Sequence, residues 1–123
     1  MTQRRLAART REFVSAVVEA VEELPRGRTA DVIGLQLLRA GTSVGANYRA
    51  ACRARSRKEF IAKMGIVEEE ADESALWIEL MSESSIVPHR KVEQLLNEAN
   101  QITAMMVASR KSLSRAGDQK SKF

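Results

Sequence analysis

The sequence predicts an all-α protein, an antiparallel up-down-up-down four-helix bundle. Three observations predict it. Apolar residues recur at spacings of three and four along most of the chain, Ser56 and Glu59 form a capping box before Phe60-Ile61, and the breaks between periodic segments are short. Short connections force consecutive helices to run antiparallel. No segment alternates with the period of two that a strand requires. A chain of 123 residues suits one domain, 1–123, with one core hiding about two thirds of the surface that the unfolded chain exposes.

The first helix is predicted over about 4–24, from the stripe Leu6, Thr10, Phe13, Val17, Ala20 and Leu24, widened by Val14 and Val21. Pro25 stops it. Pro25-Arg26-Gly27-Arg28 reads as a turn, Thr29 as the next N-cap, and Asp31 as a carboxylate favoured by the dipole of the helix start. The second helix, about 30–54, carries two seams. One is Ile33, Leu37, Ala40, Val44 and Ala51; the other is Leu38, Gly41, Gly45, Tyr48 and Cys52. Each interior glycine costs about 1 kcal/mol relative to alanine, a cost that close backbone approach would offset. The second seam is therefore read as a subunit interface or an unusually tight helix contact, with Gly41, Gly45, Tyr48 and Trp77 as interface residues. Trp77 enters because Leu76, Trp77 and Ile78 cannot all face one core. The third helix, about 57–84, follows the seam Phe60, Met64, Val67, Ala71, Ser74, Ile78 and Met81. Pro88 suits the first position of a fourth, about 88–115, through Val92, Leu95, Leu96, Ala99, Ile102, Met106 and Leu113. Gly117 is read as its close, and 116–123 as a basic, disordered tail with little to bury.

Composition agrees with helix packing: 44% of residues are apolar but only 4% aromatic. A lone Cys52 cannot form an intramolecular disulfide and reads as a small packing residue in a reducing compartment. The charged start MTQRRLAARTREF lacks the apolar run of a signal peptide, and no stretch approaches the roughly 18 apolar residues of a membrane span. A soluble, cytoplasmic protein is the expectation. The net charge of +4 is mild, so its distribution decides its meaning.

Arg49, Arg53, Arg55, Arg57 and Lys58 gather at the junction of the second and third helices, with Arg39 further back; these six are the candidate nucleic-acid contacts. The competing reading is a solvated or interface-paired cluster, with Glu59, Glu68 and Glu69 as partners. No aromatic platform accompanies the arginines, so base stacking finds no support. Gln36, Ser43 and Asn47 share one stripe and are expected to form a structural polar network rather than a ligand pocket. The acidic run Glu68-Glu69-Glu70 with Asp72 and Glu73 raises a bundle metal site, but the Glu-x-x-His motif is missing and His89 is the only histidine. No metal, cofactor or catalytic residue is assigned, since one His, one Cys and no Gly-x-Ser-x-Gly turn cannot assemble an activated nucleophile.

Gln36-Leu37, Arg39-Ala40, Ser43-Val44 and Asn47, then Arg55, Ser56, Glu59-Phe60-Ile61 and Glu73, resemble the bacterial four helix bundle protein family, the 23S rRNA intervening-sequence proteins. The likeness runs from Phe13 and Leu24-Pro25 through the third helix. It extends to the accessory variability determinant of diversity-generating retroelements. The resemblance implies an antiparallel bundle, assembly into ring-like homopentamers, and an accessory role with RNA, DNA or a nucleic-acid enzyme such as a reverse transcriptase. Ala50-Ala51 departs from the family pattern, where an acidic residue and Gly usually follow, and should let the second helix run on. The resulting expectation is a non-enzymatic, self-associating bundle. The alternatives are a carboxylate-lined metal- or small-molecule-binding bundle and a pure structural scaffold.

Overall fold

In the computed structural model, which describes residues 2–121 and the side chains of 2–115, four helices follow one another: α1 (Gln3–Glu22), α2 (Arg28–Ala51), α3 (Arg57–Glu83) and α4 (His89–Ser121). Thr2 caps α1, its hydroxyl accepting from the Arg5 N–H at 3.2 Å. The expected stripe is the buried one, with Leu6, Thr10, Phe13 and Val17 all enclosed. The Thr10 hydroxyl stays satisfied by donating to the Ala7 carbonyl.

α2 begins earlier than its sequence suggests. The N-cap is Gly27, at φ +157°, rather than Thr29, and no side chain completes the cap. Glycine can adopt a backbone angle that disfavours a Cβ, so the chain turns there and Asp31 N–H reaches the Gly27 carbonyl at 2.9 Å. At the other end α2 stops at Ala51 instead of continuing to residue 54. The capping box then starts α3 as expected: Ser56 Oγ accepts from the Glu59 N–H at 3.1 Å, and the Glu59 carboxylate accepts from the Arg55 N–H at 3.2 Å.

α3 closes with Ser85 in the left-handed region at φ 56°, which lets Ile86 N–H reach back to the Met81 carbonyl at 3.2 Å. α4 continues to Ser121, past the expected end near 115. Gly117 is carried inside the helix rather than closing it. Lys122 and Phe123 lie outside the described residues.

α2 packs along α3, α3 along α4 and α1 along α2, while α1 and α4 touch only sparsely. The bundle is thus all-α, antiparallel and up-down-up-down. Its core joins Phe13, Val17, Leu37, Tyr48, Met64, Ile78, Met81, Ile102 and Met106 from all four helices. The thin α1–α4 seam leaves a groove of about 820 Å³ floored by Phe13, Ala20, Met81 and Val92. Arg9 clasps it, binding the Glu98 carboxylate at 2.8 Å and Gln101 Oε1 at 2.8 Å.

Candidate nucleic-acid interface

The junction of α2 and α3 is built by two helix ends meeting at the Ser56 cap. Arg49 lies in the last turn of α2, Arg53 and Arg55 in the connection, and Arg57 and Lys58 in the first turn of α3. Arg49, Arg53 and Arg55, joined by Lys63, line a shallow hollow of about 520 Å³ with Ala46 and Ala50 between them. Glu59 also borders it but is held by the capping bond to the Arg55 N–H. Among the described residues, no carboxylate lies within 4 Å of the charged ends of these cations, and the salt bridges are formed by Arg9, Arg39 and Arg110.

Helix electrostatics explains only part of this arrangement. Arg49 at the C-terminus of α2 is stabilised by the negative end of that helix dipole. Arg57 and Lys58 stand at the positive end of α3, where the dipole repels them.

The topology enlarges the patch. The Tyr48 hydroxyl donates to the Gln3 carbonyl at 3.2 Å, which brings the start of α1 to this end of the bundle. Arg110 binds Glu68 at 3.1 Å and lies 3.9 Å from where a Cβ on Gly65 would stand, which brings the last part of α4 there too. Taken together, residues 2–11, 45–66 and 107–115 hold thirteen Lys and Arg against one acid, Glu59. Residues 12–44 and 67–106 hold five basic against fourteen acidic residues. A chain with a net +4 is thus split into a strongly cationic half and an anionic half.

Several sequence-based expectations change here. Arg39 is not part of the cationic hollow: it binds Glu70 at 3.3 Å, pairs with Glu73 and donates to Gln36 Oε1 at 3.2 Å. Antiparallel packing of α2 on α3 puts it among the acids, and Glu73 in turn accepts from Trp77 Nε1 at 3.1 Å. Gln36, Ser43 and Asn47 form no interhelical network of their own. Asn47 Nδ2 donates to the Ser43 carbonyl within α2, and the link to α3 is made by Arg39. Of the two readings of the second seam, Gly41 and Gly45 take the tight helix contact rather than the subunit interface, and Tyr48 lies inside the subunit. A Cβ on Gly41 would stand 2.7 Å from Val17 Cγ1, and one on Gly45 2.6 Å from Val14 Cγ2, so these glycines admit α1 against α2. Tyr48 is 1% exposed and belongs to the core. Cys52, expected in packing, is exposed beside the Tyr48 phenol, whose pKa is pushed up by burial and further by Cys52.

Trp77 remains at the edge, half-buried, while Ile78 is buried and Leu76 is 47% exposed. Leu76 is not isolated: Val32, Leu35 and Ile66 are also exposed on α2 and α3, beside the Arg39–Glu73 link. Of the acidic run, Glu68 pairs with Arg110, and Glu70 and Glu73 pair with Arg39. Lys63 was missed by sequence reasoning, although its spacing of four from Glu59 puts it on the same helix face. Arg4, Arg5, Lys111 and Arg115 were missed too. Laying the charges onto the antiparallel topology would have found them.

Fold and surface together define a class: an antiparallel helix bundle with a cationic end that its own carboxylates leave largely unpaired. The chain belongs to the 23S rRNA-intervening sequence protein family, which it matches over residues 3–108. It is similar to the crystal structure of a protein of unknown function from the S23 ribosomal protein family of Bacteroides thetaiotaomicron. The two share 31% sequence identity at a TM-score of 0.84, over 90% of this chain and 99% of that one. Comparison with curated proteins finds no match. Among the described residues, no helix is long and apolar enough to cross a membrane.

Proposed function

We propose that this protein is a non-enzymatic, self-associating bundle, cytoplasmic, whose cationic half binds the phosphate backbone of nucleic acid in an accessory role. The observation that carries the reading is the unpaired cation cluster at the α2–α3 junction, including Arg57 and Lys58 set against their own helix dipole. Neutralising several phosphates releases condensed counterions and yields sequence-independent affinity. Assembly would repeat that patch in every subunit, and the five-fold ring implied by the family resemblance is the form proposed. Support for self-association comes from the outer face of α2 and α3, where Val32, Leu35, Ile66 and Leu76 are exposed around Trp77. Exposed apolar side chains on two neighbouring helices are what an interface would cover.

Binding of RNA and duplex DNA, followed from low to near-physiological salt, tests the first part. The parent is expected to bind with a steep salt dependence, and the Arg49→Ala, Arg53→Ala, Arg57→Ala triple variant to lose most of it. Equal binding by both proteins, or no dependence on salt, sinks the reading. Native mass tests the second part: Leu35→Asp and Leu76→Asp are expected to yield single subunits with unchanged helicity. A parent that is monomeric at micromolar concentration removes the assembly.

A further inference from the structure

We infer that the cationic half is built for a double-stranded backbone rather than a single strand, with the hollow of Arg49, Arg53, Arg55 and Lys63 as its primary phosphate seat. This deepens the nucleic-acid reading above and rests on it. Three features of the surface lead here.

The first is what the surface lacks. Proteins that grip single strands combine cations with aromatic faces on which successive bases stack. Among the described residues of the cationic half, Tyr48 is 1% exposed with its hydroxyl turned to the Gln3 carbonyl, and Phe60 is half-buried against the core. A splayed base would find guanidinium and alanine, but no ring.

The second is spacing. The cations stand on separate elements: the start of α1, the α2–α3 junction and the last part of α4. Packed helices lie about 8–10 Å apart; phosphates flank a major groove about 12 Å wide in B-DNA and a wide, shallow minor groove in A-form RNA. Long side chains from neighbouring helices can therefore reach phosphates on both sides of a groove at once. One strand could use only part of this array.

The third is stiffness. The hollow is lined by Ala46 and Ala50 as well, and its cations flank the Ser56 cap, where two side-chain-to-backbone hydrogen bonds fix the chain. Cations carried on a fixed backbone are matched best by a ligand that is already ordered, because a flexible strand must lose conformational freedom to fit them. Lys63 sits in the second turn of α3, is half-buried, and faces the same hollow as Arg49 across the junction. It is the cation that gives the hollow its second wall.

Fluorescence anisotropy with mixed-sequence probes of about 20 nucleotides, single-stranded and as DNA and RNA duplexes, between about 50 and 200 mM salt, tests this. Both duplexes are expected to bind at least about tenfold tighter than the single strand at equal salt. The parent's duplex affinity should fall about threefold further across that salt range for each phosphate neutralised. The Arg49→Gln, Arg53→Gln, Arg55→Gln, Lys63→Gln variant should lose that dependence in proportion to four contacts, while Lys63→Gln alone should lose about one contact's share. Circular dichroism must show parental helicity in both variants, and Arg26→Gln with Arg28→Gln, which removes two charges at the opposite end, serves as a control that keeps the parental slope. A single strand bound as tightly as the duplexes overturns the inference and leaves the broader reading standing. A hollow variant that retains the parental slope also overturns it. Failure of the parent to bind any probe at low salt removes both.

Discussion

The glycines of α2 and α3 allow the packing account to be tested against arithmetic. Alanine in a helix interior is favoured over glycine by about 1 kcal/mol, so Gly→Ala should stabilise wherever a methyl has room. Gly65 has room: its Cβ would meet only Arg110 Cδ, at 3.9 Å. Gly41 has none. A Cβ there stands 2.7, 2.9 and 3.1 Å from three carbons of Val17, which is fully buried and stiff at χ1. Overpacking of this kind costs about 1–3 kcal/mol. Gly41→Ala should therefore lose about 1 kcal/mol net, while Gly65→Ala gains about 1, shifts of about 4 °C in opposite directions for a domain of this size. Gly34 falls between them, since its Cβ would press on Leu24 Cδ1 at 2.8 Å, the movable tip of a half-buried side chain. Combining Gly41→Ala with Val17→Ala should recover part of the loss, a coupling of about 1 kcal/mol between neighbours. Urea unfolding followed by circular dichroism measures all of these variants. If Gly41→Ala is as stabilising as Gly65→Ala, the close approach of α1 to α2 is not what the glycine serves. If Gly41→Ala changes native mass without changing unfolding, the seam belongs to a subunit interface after all.

Other expectations concern single residues. The Tyr48 pKa is pushed above its ordinary value of about 10 by burial, so its contribution is full below about pH 10 and is lost as pH rises beyond that. Urea midpoints at pH 9 and 11 should fall further for the parent than for Tyr48→Phe, by up to about 1.4 kcal/mol per pH unit; parallel curves refute the buried phenol. Ser85→Gly should stabilise by about 1 kcal/mol, because the left-handed turn at φ 56° strains any residue with a Cβ, and an unchanged midpoint would contradict this. Arg9→Ala should cost about 1 kcal/mol and speed hydrogen exchange in α1 ahead of α2 and α3, since Arg9 clasps the thinnest seam. Arg39→Ala should leave the salt dependence of nucleic-acid binding at the parental slope, because its charge is met by Glu70 and Glu73; a reduced slope would return it to the interface.

What the sequence disclosed divides along a physical line. Periodicity of 3.6 residues and the Ser56 capping box report on local structure and on which face is buried, and both are properties of one helix at a time. Phe13, Val17, Leu37, Val44, Met64, Ile78 and Ile102 are legible for that reason. The meaning of the glycine seam depends on what lies across from it, and a spacing cannot distinguish a second subunit from α1. Arg39 shows the same limit with charge. In one dimension it is a cation near others; in three it is placed against Glu70 and Glu73, more than thirty residues downstream.

The charge division of the bundle follows the same logic and bears directly on function. The α2–α3 junction shows as basic in the sequence, but the start of α1 and the last part of α4 do not stand out, since both helices contain acids, and the net +4 hides the division. It arises because an up-down-up-down path returns the start of α1, the α2–α3 junction and the last part of α4 to one end, so three modest basic runs add. Self-repulsion among the cations of the cationic half, all but Arg9 and Arg110 without a carboxylate partner among the described residues, destabilises the isolated fold. Phosphates placed between them relieve that repulsion, so the same charges that weaken the free protein favour its nucleic-acid complex. Raising salt should consequently stabilise the free protein against urea while weakening its hold on nucleic acid. Opposite signs in those two titrations are the signature of cations held apart for a ligand, whereas cations already paired within the fold would lose stability as salt screened them.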